Sequence, residues 1–419
     1  MAPNGTSEIT ALSQLIASAV QDIVNEYTKA GHTVPSLHST EQGPFDAPHL
    51  VSETLSKAVQ IVEAACAQLT FTVTNPGHTM TNKAYAYEEP ACLLVVTNAK
   101  IADLLLGKPE GLHVNDLASA SGLDSGKLGR ILRLLATKHV FDEVKPDIFS
   151  NNRLSMQLVS NNPVSSLVGT MTDECFKAGA YLADTLGDPK AGHSTSADDS
   201  PFQRVHGVSF FGFYKTPIGK KVNDRFAQTM VGWGEVTGKS MLPIVYDWEN
   251  VPQDTVICDV GGGNGHATLG LIKKFPKIKV VLQDLPAVIQ QGKDHWATEC
   301  PEAIENQRIR FEELDFFSGQ PVSNCDLYYR WSTDEFVIEH AVRDSSAKTE
   351  AKDEAPEPLL ANYGVSRIRK YNQDLNMMIL HNAQERTLQE FITLGVHSGF
   401  KFEKLWDSGE AGLIEFIPV

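Results

Sequence analysis

The chain has 419 residues, a formal net charge of −16 and 42% hydrophobic content, enough to bury a large core over two or three domains. Phosphate backbones are held by clustered Lys and Arg, so this acidic balance argues against a nucleic-acid partner. The sequence has no 18-residue apolar run and its start, Met-Ala-Pro-Asn-Gly-Thr-Ser-Glu, lacks the basic and apolar parts of a leader, so a cytoplasmic protein without a membrane partner is expected.

Residues 8–30 place apolar side chains at three- and four-residue intervals, which predicts an amphipathic helix. A Pro- and Gly-containing linker over 31–50 leads to a second helix patterned on Leu55, Val59, Ile61, Val62, Ala65 and Leu69. Such an arm packs either on its own domain or on a partner, in a homodimer built by exchanged arms. Residues 91–155 read as three helices, 91–106, 114–121 and 125–139, followed by a hairpin through Val140 and Ile148, which is a winged-helix module. Its third helix carries few basic residues, so a dimer platform is expected rather than a DNA reader.

Residues 160–250 are expected to be largely helical, with aromatic and Met side chains concentrated over 202–214 and 225–241. Phe211, Met230 and Trp233 are candidates for an apolar substrate chamber, against the alternative of ordinary core. The resulting division is a helical arm (1–75), a winged-helix dimerisation domain (76–160), a helical pocket and linker region (161–250) and a cofactor-binding domain (251–419).

The chain is organised around Val256-Ile-Cys-Asp-Val-Gly-Gly-Gly-Asn-Gly-His266, followed by Lys279-Val-Val-Leu-Gln-Asp284. The pattern is β-turn-α-β, and Gly261, Gly262, Gly263 and Gly265 allow a sharp turn with close backbone approach to a ligand. A dinucleotide fingerprint would place its third glycine where His266 stands, and Asp259 at the mouth of the turn would repel a pyrophosphate and welcome a cation. Asp284, ending the second strand, is placed for both hydroxyls of a ribose. A ribose, an ammonium and a sulfonium together make S-adenosyl-L-methionine, which is preferred over NAD. Strand-like runs at 308–317 and 325–329, and an alternating C-terminal pair closing the sheet, complete a doubly wound α/β domain, with Asp315 where an adenine amino group would lie. The six cysteines are scattered and expected to be reduced and mostly buried, and no metal site is expected.

Asp-Val-Gly-Gly-Gly-Asn-Gly-His, Gln-Asp-Leu-Pro, Leu-Asp-Phe-Phe, Asp374-Leu-Asn-Met-Met and Asn382-Ala-Gln-Glu-Arg-Thr387, in that order behind a helical arm and a winged helix, resemble the small-molecule O-methyltransferases of plants and fungi. The resemblance spans nearly the whole chain. It implies a Rossmann-like class I methyltransferase domain, a donor site at Gly261, Gly263, Asp284, Leu285, Asp315 and Phe316, dimers, and a substrate pocket containing Met377 and Met378.

Two departures bear on chemistry. Methylating members of the family carry a His-Asp-Trp sequence after the strand that matches 325–329, and its His takes the proton of the acceptor hydroxyl. Here the chain reads Tyr328-Tyr-Arg-Trp-Ser-Thr-Asp-Glu-Phe336, which puts Tyr329 or Asp334 at the base position, and His340 a few residues on reads better as a surface side chain. Glu335 and Glu385 match the two carboxylates that orient the missing His. The second departure is 345–358, polar where the family has a short apolar strand. Three readings follow. One is a pericyclase-type enzyme of fungal secondary metabolism that binds the methyl donor without spending it and catalyses dehydration or cyclisation of a polyketide-derived substrate, with Arg330 and His381 polarising a carbonyl. The second is an O-methyltransferase acting on a phenol or enol, and the third is a non-enzymatic binder.

Overall fold

The computed structural model describes residues 4–237, 242–316, 318–330, 337–339, 341, 354–407 and 412–419. They form two compact units, Met1–Val236 with Ile338–Glu385, and Thr237–Val337 with Arg386–Val419.

In the first unit, helix Gly5–Lys29 is capped by the Asn4 side chain and packs on helix Glu53–Val73, whose Ala58, Ala64 and Ala65 are small enough for close approach. Leu12, Ala64 and Ala65 share one apolar cluster with Leu359 and Tyr363. Gln68 Nε2 ties the pair together, donating to Glu8 at 2.9 Å and to the Pro358 carbonyl at 3.0 Å. The arm therefore packs on its own chain. Val59 lies at the edge of the buried stripe and is exposed. Of the polar stretch 345–358, the described part enters no strand, and Ala355 is buried in the arm's cluster. The remainder lies outside the described residues.

The winged helix is present with one break. The helix expected over 91–106 is split into Glu88–Asn98 and Ile101–Leu104, because Lys100 takes a left-handed backbone (φ 52°) that an α-helix cannot contain. Helices Val114–Ser121 and Ser125–Thr137 follow, and strands β1 (Leu112–His113), β2 (Asp142–Lys145) and β3 (Ile148–Ser150) form an antiparallel sheet in the order β1-β3-β2. Leu128, Leu132 and Leu135, at i, i+4 and i+7, face Phe141 and Phe149 in the core.

The second unit is built on a parallel sheet of β4 (Thr255–Val260), β5 (Ile278–Asp284), β6 (Ile309–Glu313) and β7 (Leu327–Tyr329), ordered β6-β5-β4-β7. Both sides of β4 are buried, which explains its apolar run Val256–Cys258 before Asp259: Ile257 joins Leu282 and Trp296 in the larger cluster, while Cys258 and Val260 pack with Leu314. The C-terminal strands Phe400–Asp407 and Gly412–Pro418 pair antiparallel, as their alternation predicts. They do not close the parallel sheet; among the described residues they form a two-stranded sheet of their own, their backbone bonds spent on each other. Three of the six cysteines are buried, two are half-buried and Cys66 is exposed; all are free thiols.

Candidate functional site

The turn after β4 is stitched to the end of β5. The N–H groups of Gly261 and Gly262 donate to the Gln283 carbonyl at 2.8 and 3.2 Å, and Gly263 N–H donates to Asp284 Oδ2 at 2.8 Å. The other Asp284 oxygen accepts from Leu285 N–H at 2.7 Å. Each carboxylate oxygen keeps a further acceptor site, which suits the two hydroxyls of a ribose at the carboxyl edge of the sheet.

Two of the turn's glycines are required for distinct reasons. Gly265 has φ 80°, and a Cβ there would stand 2.6 Å from Trp296 Nε1. Gly262 would place a Cβ 2.4 Å from Asp259 Cγ. Asp259 therefore does not stand at an open mouth, as its place in the sequence suggests. It lies 1% exposed beneath the turn, with Oδ2 accepting from Thr268 Oγ1 at 2.8 Å and Oδ1 buried without a hydrogen-bond partner among the described residues.

Burial pushes the Asp259 carboxyl up to about 7, opposed by the Thr268 hydrogen bond and aided by the charge of Asp284. Between the ordinary value of 3.8 and about 7 the folded chain holds a proton that the unfolded chain has released. Stability therefore falls as pH rises through that window, by at most about 4 kcal/mol in all. Asp259→Asn keeps the acceptor for Thr268 and is expected to abolish this fall. Thermal melts of the cofactor-free protein at pH 5 and pH 8 would check it, and parallel pH profiles for variant and wild type would refute it.

Around this floor, Phe316 leans over the turn, within 3.2 Å of the Cβ position of Gly261, and Arg330 lies over the Phe316 ring at 5.0 Å. Asp315 stands two residues past the end of β6, exposed, with its carbonyl receiving Ser318 and Gly319. Leu285 is exposed and opens helix Pro286–Glu299. Tyr329, at the end of β7, packs on the sheet's core cluster with Leu327. Asp334, Glu335 and His340 lie outside the described residues.

The remaining candidates belong to the first unit. Phe202, Phe210, Phe213, Tyr214, Met377 and Leu380 share a buried cluster. His381 stacks on Phe211 at 5.3 Å and meets Phe210 edge-on at 5.1 Å; burial lowers its pKa, favouring the neutral ring. Phe211 is itself 60% exposed, so it is the outer member of the group rather than core. Phe226, Met230 and Trp233 fall at i, i+4 and i+7 on one face of helix Asn223–Thr237, and Phe226 stacks on Tyr214 at 4.3 Å. Met378 is half-buried on helix Ile368–His381 beside Met377. Glu385 is buried, its backbone N–H donating to Asp374 at 2.8 Å.

Sequence reasoning missed Gln283, Thr268 and Trp296, which hold the turn in place. Gln283 left a signal, being a polar residue inside a buried apolar strand; its Oε1 accepts from the Cys258 thiol and from Val322 N–H, both at 3.0 Å. Trp296, whose Nε1 donates to the Asn264 carbonyl at 2.9 Å, lies too far along the chain to be linked to the turn by spacing.

A parallel sheet whose first strand ends in a glycine turn over a buried acid, and whose second ends in a carboxylate, defines a nucleoside-binding domain of the class I methyltransferase type. The O-methyltransferase domain model matches residues 181–401 and the O-methyltransferase dimerisation domain model matches residues 82–168. The chain belongs to the O-methyltransferase family. It is 45% identical to 3-O-methyltransferase 2 of Phanerochaete chrysosporium over 98% of this chain and 97% of that one. It is 32% identical to an O-methyltransferase of Armillaria gallica over 95% of each. Among solved structures it resembles the mitomycin 7-O-methyltransferase MmcR (TM-score 0.62, 19% identity, 82% of this chain and 98% of that one) and a protein described as a pericyclic reaction enzyme (TM-score 0.65, 15% identity, 96% and 99%).

The family's methyl donor is S-adenosylmethionine, and the residues present fit it: a turn with positive φ at Gly261, Gly263 and Gly265 and open space at the Cβ position of Gly263, an unpartnered buried acid oxygen beneath it, and free acceptor sites on Asp284. Among the described residues no helix is long and apolar enough to cross a membrane.

Proposed function

We propose that this enzyme methylates a hydroxyl on a small aromatic acceptor that is acidic enough to ionise without a histidine. The complete glycine and Asp284 cradle carries the reading, supported by the whole-length likeness to a protein named as a 3-O-methyltransferase. When bound, S-adenosylmethionine supplies an electrophilic methyl group on a cationic sulfur. In this reading Asp284 binds the ribose hydroxyls, Gly261 and Gly263 give the backbone its close approach, and Asp315, Phe316 and Arg330 border the donor. Phe211, Met230, Trp233, Met377 and Met378 bind the acceptor and exclude water. With no histidine in Tyr329-Arg-Trp-Ser-Thr-Asp334, the acceptor oxygen reaches the site already deprotonated and attacks in line. The working form is a homodimer built on the dimerisation domain, and the protein acts in the cytoplasm.

The test is incubation with methyl-labelled donor and a series of phenols of graded acidity. Label is expected in the product, with kcat/KM rising with pH until each phenol is ionised. A profile turning near the usual pKa of histidine, the same for every phenol, would show that a protein base acts and would overturn the mechanism.

A second reading rests on the same missing histidine: cyclisation or dehydration of a polyketide-derived substrate with the donor left intact, Arg330 and His381 polarising a carbonyl and Asp334, Glu335 or Glu385 handling the proton. A product of unchanged or water-depleted mass, formed only when unconsumed donor is present, is its signature.

A further inference from the structure

Beside the aromatic cluster lies a buried polar group that the proposed reaction does not use. Glu174 is 2% exposed and sits in a π-helical turn, Met171–Cys175, a local irregularity that re-aims side chains relative to a regular helix. Its carboxylate accepts from the Tyr214 hydroxyl at 2.9 Å and pairs with Arg225, which also donates to Asp173 at 2.9 Å. A buried carboxylate is costly to desolvate, and an apolar side chain of the same volume would pack there without that penalty.

What the carboxylate holds is an aromatic ring in a fixed orientation. Tyr214 stacks on Phe226 with 22° between planes and meets Phe210 edge-on at 5.5 Å. Phe210 in turn meets both Phe211 and His381 edge-on. One line of contacts thus runs from the Arg225 ion pair to the exposed ring of Phe211. A tyrosine hydroxyl anchored at a charged acceptor cannot tilt, whereas a phenylalanine in the same place is held by packing alone.

We propose that Glu174 is a positioning residue for the acceptor: anchored by Arg225, it fixes Tyr214 and, through Phe210, the exposed ring of Phe211 on which an aromatic acceptor stacks. This rests on the reading that the cluster receives the acceptor. Offset and edge-on contacts depend on ring orientation, so loosening the anchor weakens acceptor binding by about tenfold, the scale of one aromatic pair, and leaves the donor untouched.

Calorimetric titration of the full-length protein with naphthol, in saturating S-adenosylhomocysteine, reads acceptor binding without turnover. Tyr214→Phe and Glu174→Leu are expected to raise the naphthol Kd about tenfold with the S-adenosylhomocysteine Kd unchanged. Glu174→Gln, whose amide oxygen still accepts the tyrosine hydroxyl but whose NH2 then faces Arg225, is expected to fall between wild type and Glu174→Leu. Where turnover is measurable, KM follows the Kd while kcat holds. Wild-type binding with Tyr214→Phe and Glu174→Leu indistinguishable from it, whatever their melting temperatures, overturns the positioning role alone. A wild type that binds no naphthol or other flat phenol overturns this inference together with the acceptor assignment.

Discussion

Asp284→Ala is expected to weaken S-adenosylmethionine binding about a hundredfold. The carboxylate accepts two internal bonds, from Gly263 and Leu285 N–H, that fix the turn against the end of β5, and its remaining acceptor sites are the ones proposed for the ribose. Hydrogen bonds to a charged group contribute about 1.5–3 kcal/mol each. Losing the two to ribose, and leaving the turn's N–H groups to reorient, costs about 3 kcal/mol of binding, which is about a hundredfold in Kd. Asp284→Asn should fall in between, because the amide oxygen serves one backbone donor while the amide NH2 faces the other. Isothermal titration with S-adenosylmethionine measures all three. A Kd for the alanine variant close to wild type would remove Asp284 from the donor site.

The largest stability effect is expected from Arg225→Met. Asp173 and Glu174 are adjacent in sequence and both bind this guanidinium, and Glu174 is buried. Removing one partner of a buried pair leaves an uncompensated charge and costs about 3–5 kcal/mol, roughly a 10 °C drop in the melting of the first unit. Glu174 already has its pKa raised, burial outweighing the pull of Arg225, so in the variant it escapes the penalty by taking up a proton. The sign follows: a carboxyl raised above its unfolded value contributes stability at low pH that is lost as pH rises through the raised value. The deficit of Arg225→Met should therefore shrink on acidification toward pH 5. The double variant Arg225→Met with Glu174→Met should recover part of it, since the desolvated charge at 174 is gone while the Tyr214 hydroxyl loses its acceptor. Scanning calorimetry at two pH values checks both statements, and a deficit that grows on acidification would contradict them.

The order of elements was written in local patterns: the 3.6-residue stripes of the arm helices, the helices and wing of residues 112–150, the apolar strands and the glycine turn. Each depends on backbone periodicity or on a φ that only a few residues tolerate, and both are properties of short stretches. The same locality made Asp284 a candidate, because a strand's end and its acid are consecutive, and the family resemblance proposed Phe316 and the methionine pair on helix Ile368–His381.

What the sequence by itself determined is therefore the class of fold, the donor it is built for and the lack of a histidine in Tyr329-Arg-Trp-Ser-Thr-Asp334 directly after β7. Tertiary structure decided which groups face water and which face each other. Asp259 reads as an acid at the mouth of a turn, but the chain folds Gly262 across it and makes it a buried floor with a raised pKa. Trp296 and Gln283 hold the turn from 32 and 22 residues away. Glu174, Tyr214 and Arg225 meet across up to 51 residues of chain, and Phe211, one residue from the buried Phe210, faces outward. Burial and charge pairing are set by contacts between segments remote in sequence, and no periodicity along the chain encodes those contacts.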